Sequence, residues 1–140
     1  MAGDIPVRPG DVIEYAYLWG YEASQGHLEG RKDRPCAVMV VHATERLVAV
    51  CPITHTPPKE GQGIQVPPQT LVRLGLDDES PCWVVTTEIN QFVWPGPDIR
   101  RAPKGEYSYG LIPRTLFDRI RSQLLENHAK GLNAIHRAED

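Results

Sequence analysis

The chain of 140 residues is long enough for one domain with its own core. Its hydrophobic share of 41% and charged share of 24% are those of an ordinary globular protein, which excludes a disordered or fibrous chain. A net charge of −3 argues against a broad basic face for duplex DNA, although Arg8, Arg31, Lys32, Arg34, Arg73, Arg100, Arg101 and Lys104 are enough to line a local basic cleft.

Thirteen Pro and twelve Gly predict many turns. Residues 8–11 (Arg-Pro-Gly-Asp) form a turn that launches a first strand over 12–18, rich in β-branched and aromatic residues. The polar segment 20–33 is too long for a plain hairpin connection, and loops of that kind are more often functional. A second strand is expected over 34–42, a turn over 43–46 and a third strand over 47–53. Both strands are apolar runs with polar chemistry at their ends: Arg34-Pro35 at one mouth, Pro52-Ile53-Thr54 at the other. Paired antiparallel, they would bring a fixed cation and a hydroxyl to one rim of a sheet, where a phosphate can be held.

Residues 55–63 read as a Pro/Gly/Lys loop and 64–66 as a short strand. Pro67-Pro68 starts a helical turn over 69–74 that Gly75 stops. After a loop over 77–81, a further strand runs over 82–88 and continues to Trp94, where Pro95-Gly96-Pro97 ends it. Segment 98–105 is polar and basic. Tyr109-Gly110-Leu111-Ile112 leads into the one long helix, whose first turn suits Pro113 and whose apolar stripe is Leu116, Phe117, Ile120, Leu124 and Leu125. The polar tail 127–140 either continues as a weaker helix through Leu132 and Ile135 or frays. Strands first and a helix last predict a mainly β protein with helices (α+β): a small, strongly curved antiparallel sheet or barrel forming a single domain over 1–140, with its core over about 9–126.

Cys36, Cys51 and Cys82 make an odd count in apolar contexts without a CxxC, so they read as buried thiols in a reducing compartment. The five His form no metal-ligand pattern, and no phosphate-loop, dinucleotide or zinc-protease motif is present, so neither metal nor cofactor is expected. A nucleophilic Cys36 or Cys51 beside His55 is the less favoured reading of those thiols. Met-Ala-Gly-Asp-Ile-Pro lacks the basic start and apolar stretch of a signal peptide, and no apolar run reaches membrane-spanning length, so a cytoplasmic protein is expected. Trp19, Trp83 and Trp94 read mostly as core or interface anchors, with base stacking as the alternative. Arg34 is held extended by Pro35 and offers a rigid fork of donors that suits a phosphate. On composition alone, the plainer reading is a surface ion pair with Glu29 or Asp33.

In chain order these segments resemble the MazF/PemK toxins of bacterial toxin–antitoxin modules. Pro9-Gly10-Asp11-Val12-Ile13 resembles their opening Gly-Asp strand, and Arg34-Pro35-Cys36-Ala37-Val38-Met39-Val40 their Arg-Pro strand. Cys51-Pro52-Ile53-Thr54 resembles the Pro-x-Thr end of the third, and residues 84–94 the later strand that ends in Trp. Residues 109–126 stand where the family has its C-terminal helix. The resemblance implies an SH3-like, CcdB/MazF-type barrel with a C-terminal helix, usually a homodimer; because a barrel this small has a limited core, strand edges or the Trp94 region are expected to pair the two copies. The implied activity is metal-independent, sequence-selective cleavage of single-stranded RNA by its own 2′-OH, giving a 2′,3′-cyclic phosphate and a free 5′-OH.

The family's catalytic Arg and Thr fall on Arg34 and Thr54. RNA contacts are then expected from Glu22, Gln25 and His27 of the 20–33 loop, from Arg31 and Lys32, from His55, and from Thr87-Glu88, which stand where many members carry Asp-Gln. The implied partners are single-stranded RNA and a cognate antitoxin, with no membrane. The alternative is a non-catalytic binding module on the same barrel, a CcdB-like inhibitor of a protein target or a nucleic-acid binder.

Overall fold

The computed structural model describes residues 5–26, 33–102 and 106–137. The protein is mainly antiparallel β, with a strongly curled sheet and three helices among the described residues. β1 (Asp11–Tyr15), β2 (Arg34–His42) and β3 (Leu47–Thr54) form its centre, with β2 antiparallel to both neighbours. β4 (Gly63–Val66) and β5 (Cys82–Val85) extend one side, and β7 (Ser108–Leu111) borders β1 on the other. A register shift between Val38 and Val40 adds an unpaired residue to β2, which increases local twist and curls the sheet.

Both faces of the central strands are buried, which is why they read as continuous apolar runs rather than as alternating ones. Val12, Ala37 and Cys51 face one core, roofed by α2 (Pro68–Leu74) and α3 (Arg114–Ala129). Ile13, Tyr15, Cys36, Val38 and Val50 face the other, where Phe92 and Trp94 pack. All three cysteines are free and buried. Leu116 and Ile120 anchor α3, while Leu125 of the expected stripe is half exposed. Gly75 ends α2 in the left-handed conformation (φ 72°), as a helix-stopping glycine does.

Four sequence expectations are corrected. The first strand stops at Tyr15 and does not reach residue 18. The 20–33 loop contains a helical turn, α1 (Gly20–Ser24). The run 82–94 is two strands, β5 and β6 (Glu88–Val93), broken at Thr86-Thr87. β5 pairs with Ile53 and Thr54 at the end of β3, and β6 with its start, Leu47–Val50. Between the two pairings lies Pro52, which has no N–H to give a neighbouring strand. The fourth correction is the tail: α3 takes in its first residues and stops at Ala129, and the chain then forms β8 (Asn133–His136), parallel to β6, in place of a helix through Leu132 and Ile135 or a frayed end. No helix among the described residues is long and apolar enough to cross a membrane.

Candidate nucleic-acid site

The register of β2 on β3 pairs Cys36 with Pro52, so the strand ends beyond them carry Arg34 and Thr54 side by side. An Nη1 of Arg34 stands 3.4 Å from the Ile53 carbonyl oxygen, and its guanidinium lies 5.0 Å from the Trp19 ring centroid. That stacking desolvates one face of the cation. Arg34 Nε is buried without a hydrogen-bond partner among the described residues. The expected surface ion pair is not formed with Asp33, whose carboxylate lies 3.5 Å from Arg100 Nε instead. Glu29 lies outside the described residues. Thr54 Oγ1 accepts the Thr56 backbone N–H at 3.1 Å, so its own O–H remains a donor for an external oxygen.

Arg34 and Thr54 stand at the seam of two clefts. One, of about 400 Å³, includes Glu14, Asp33, His55, Asp77 and Tyr109. The other, of about 330 Å³, is lined by Trp19, Tyr21, Pro57 and Pro58. Tyr21 is 57% exposed, a large ring presented to solvent at the cleft. A phosphate held at the seam would therefore have an aromatic wall on one side and proton-exchanging groups on the other.

His55 follows Thr54 directly and is held between two segments. Its Nδ1 is 3.1 Å from the Pro81 carbonyl oxygen and 2.9 Å from Ser80 Oγ, and its Nε2 is 3.4 Å from Asp77 Oδ2. Glu14 reaches the same cleft from β1, where its carboxylate accepts the Tyr109 hydroxyl at 3.0 Å. Burial pushes the Glu14 carboxyl above the ordinary carboxylate range. The Tyr109 hydrogen bond and the Arg34 charge oppose that shift, and the Asp33 charge adds to it. Neither Glu14 nor Tyr109 stood out in the sequence, although one acid inside the run Val12–Leu18 was a signal: burying a carboxylate is costly unless it has work or a partner.

The other sequence-predicted contacts are dispersed. Glu22 is buried, and its Oε1 accepts the Trp19 backbone N–H at 3.0 Å, closing the first turn of α1. Glu88 accepts the Gly20 N–H at 2.9 Å and the Tyr17 hydroxyl at 3.2 Å, tying α1 to β6. Thr87 gives its carbonyl to Asn133 N–H, and Gln25 is exposed at the end of α1. His27, Arg31 and Lys32 lie outside the described residues. Trp94 is buried against Phe92 and Tyr107 of its own chain. Arg100 and Arg101 line a separate cleft of about 560 Å³. Among the described residues no three His, Cys, Asp or Glu side chains converge as metal ligands.

No known protein family matches the chain. No curated protein sequence matches it either.

Proposed function

We propose that this protein is an endoribonuclease that cleaves single-stranded RNA without a metal ion, acting as the cytoplasmic toxin of a type II toxin–antitoxin module. The observation that carries the reading is the junction of Arg34 and Thr54: a cation with no ion pair among the described residues beside a hydroxyl with a donor to offer, at the seam of two clefts. RNA brings its own nucleophile, so the protein has to align the 2′-OH with the phosphorus and stabilise the charge that grows on the phosphate. Arg34 supplies a permanent cation with fixed donor geometry, and Thr54 donates to a non-bridging oxygen. Trp19 and Tyr21 offer ring faces to an unstacked base, which fits a single strand rather than a duplex. The curled antiparallel sheet with a long helix on one face is compatible with an SH3-like, MazF-type barrel. A homodimer and an antitoxin that lays an acidic, disordered segment across the cleft complete the proposal.

The test is incubation of purified protein with single-stranded RNA in EDTA, beside the Arg34→Ala variant. Fragments ending in a 2′,3′-cyclic phosphate and beginning with a 5′-OH are expected. The variant should be slower by about 10²–10³-fold, as for loss of one charge-stabilising donor. Intact RNA with wild type overturns the reading, and equal cleavage by Arg34→Ala overturns the assigned site. Growth arrest on expression with intact cellular RNA would instead favour the non-catalytic module.

A further inference from the structure

Arg34 leaves the reaction incomplete. A guanidinium stays protonated, so it neither accepts the 2′-OH proton nor readily gives one to the leaving oxygen. Two groups in the same cleft do exchange protons, and the topology sets them on opposite sides of Arg34. β1 pairs Glu14 with Pro35 and Tyr15 with Arg34. β3 lies on the other edge of β2 and delivers Thr54 and His55. Glu14 pairs with Pro35, so the pleat turns its side chain to the sheet face opposite that of Arg34, and the two meet only at the rim, where one cleft takes in Glu14, Arg34, Thr54 and His55. Cleavage by a neighbouring hydroxyl needs this arrangement, because the entering and leaving oxygens lie on opposite sides of phosphorus.

We propose that Glu14 and His55 are the proton acceptor and proton donor of the cleavage, set on either flank of the Arg34–Thr54 phosphate site. This inference rests on the endoribonuclease reading. The ionised Glu14 carboxylate takes the proton of the ribose 2′-OH as the O2′–P bond forms. The P–O5′ bond breaks, and O5′ takes a proton from the His55 imidazolium. The products are a 2′,3′-cyclic phosphate and a 5′-OH, and the two side chains return to their starting states by exchanging one proton through water. Tyr109 holds Glu14 through its 3.0 Å hydrogen bond. The Pro81 carbonyl fixes His55 Nδ1 at 3.1 Å, which leaves Nε2, 3.4 Å from Asp77, as the exchanging nitrogen. The charged and titratable groups facing Glu14 are Tyr109, Asp33 and Arg34, and those facing His55 are Asp77 and Cys82.

The experiment is single-turnover cleavage of a single-stranded RNA across pH, with Glu14→Gln, His55→Gln and Tyr109→Phe. It is repeated on the same RNA carrying sulfur in place of O5′ at its mapped cleavage position. Wild type should give a bell-shaped profile. Glu14→Gln should lose about 10²–10⁴-fold and the acid limb, and His55→Gln a similar factor and the alkaline limb. A thiolate leaves without a proton, so the sulfur substrate should bring His55→Gln to within about tenfold of wild type while Glu14→Gln stays slow.

Tyr109→Phe keeps the carboxylate but removes a hydrogen bond that lowers its pKa, so the acid limb should move to higher pH, a readout that does not depend on the Glu14→Gln variant. An unmoved limb overturns the role of Glu14, and no rescue by sulfur overturns that of His55. Near-wild-type rates for both Gln variants, with Arg34→Ala inactive, overturn the pair and leave the endoribonuclease reading standing. A wild type that leaves RNA intact overturns both.

Discussion

Replacing Arg137 by Met removes a charge from the interior while keeping most of the side-chain volume. The Arg137 side chain is 1% exposed. Its Nη1 donates to the Ala16 carbonyl at 2.6 Å and to Asn90 Oδ1 at 3.0 Å, and its guanidinium lies 5.5 Å from the Tyr15 ring centroid. Nη2 is 2.9 Å from Asp98 Oδ2, an ion contact rather than an aligned hydrogen bond. The variant takes the nearer cation away from a carboxylate that is 9% exposed and leaves it the longer ion contact with Arg100, at 3.9 Å. Breaking a buried pair from one side costs about 3–5 kcal/mol, a large part of the roughly 5–15 kcal/mol that holds a domain together.

With a urea dependence of about 2 kcal/mol per molar, the unfolding midpoint of Arg137→Met should fall by about 2 M. Adding Asp98→Asn removes the other charge of the pair, so the double variant should lose less than the sum of the two single variants, by about 1–3 kcal/mol. Urea unfolding followed by circular dichroism and Trp fluorescence reads all four corners of the cycle. A midpoint for Arg137→Met equivalent to within about 1 kcal/mol of wild type, or strict additivity in the cycle, would refute the assignment of this stability to the Arg137–Asp98 pair.

Glu14 carries a stability cost of its own. Because burial raises its pKa above 4.5, the folded chain keeps that proton to higher pH than the unfolded chain does. The stability from this group is complete below 4.5 and is lost as pH rises through the raised value. Glu14→Gln should therefore have a higher thermal midpoint than wild type at pH 7, with the gap closing as pH falls below 4.5; a gap independent of pH would count against the shift. The thiols give a second check. Burial pushes Cys36 well up and Cys51 up to about 12, and it also raises Cys82. Folded protein should react slowly with Ellman's reagent and release three equivalents once unfolded in guanidinium, so rapid titration of two thiols in the folded state would refute their burial.

The strands at the centre were legible because their information is local. Arg34–His42 and Leu47–Thr54 are β-branched runs bounded by a polar turn, and their boundaries in the structure follow that composition closely. The α2 helix was legible from Pro at one end and Gly at the other. The break at Thr86-Thr87 was not, because Thr suits a strand as well as its neighbours do and the division of 82–94 depends on which part of β3 each half pairs with. The buried Thr86 hydroxyl donates to Gln123 of α3 at 2.6 Å, a partner far away in sequence. The tail misled for the same reason: Asn133–His136 is short, mixed in polarity and exposed on most of its length, and pairing with β6 makes it a strand.

By itself, then, the sequence determined the central strands, the two proline-started helices, the buried thiols, and the presence of Arg34 and Thr54 at the ends of two runs expected to pair. These follow from side-chain preferences and backbone limits that act within a few residues. Only the tertiary structure decided what surrounds that pair. It turned Asp33 toward Arg100, drew Glu22 and Glu88 into backbone contacts, and brought Glu14, Tyr109 and Asp77 to the same cleft. Sheet register and curvature set those neighbours, and both arise from pairing between residues distant in the chain, which local preference does not encode.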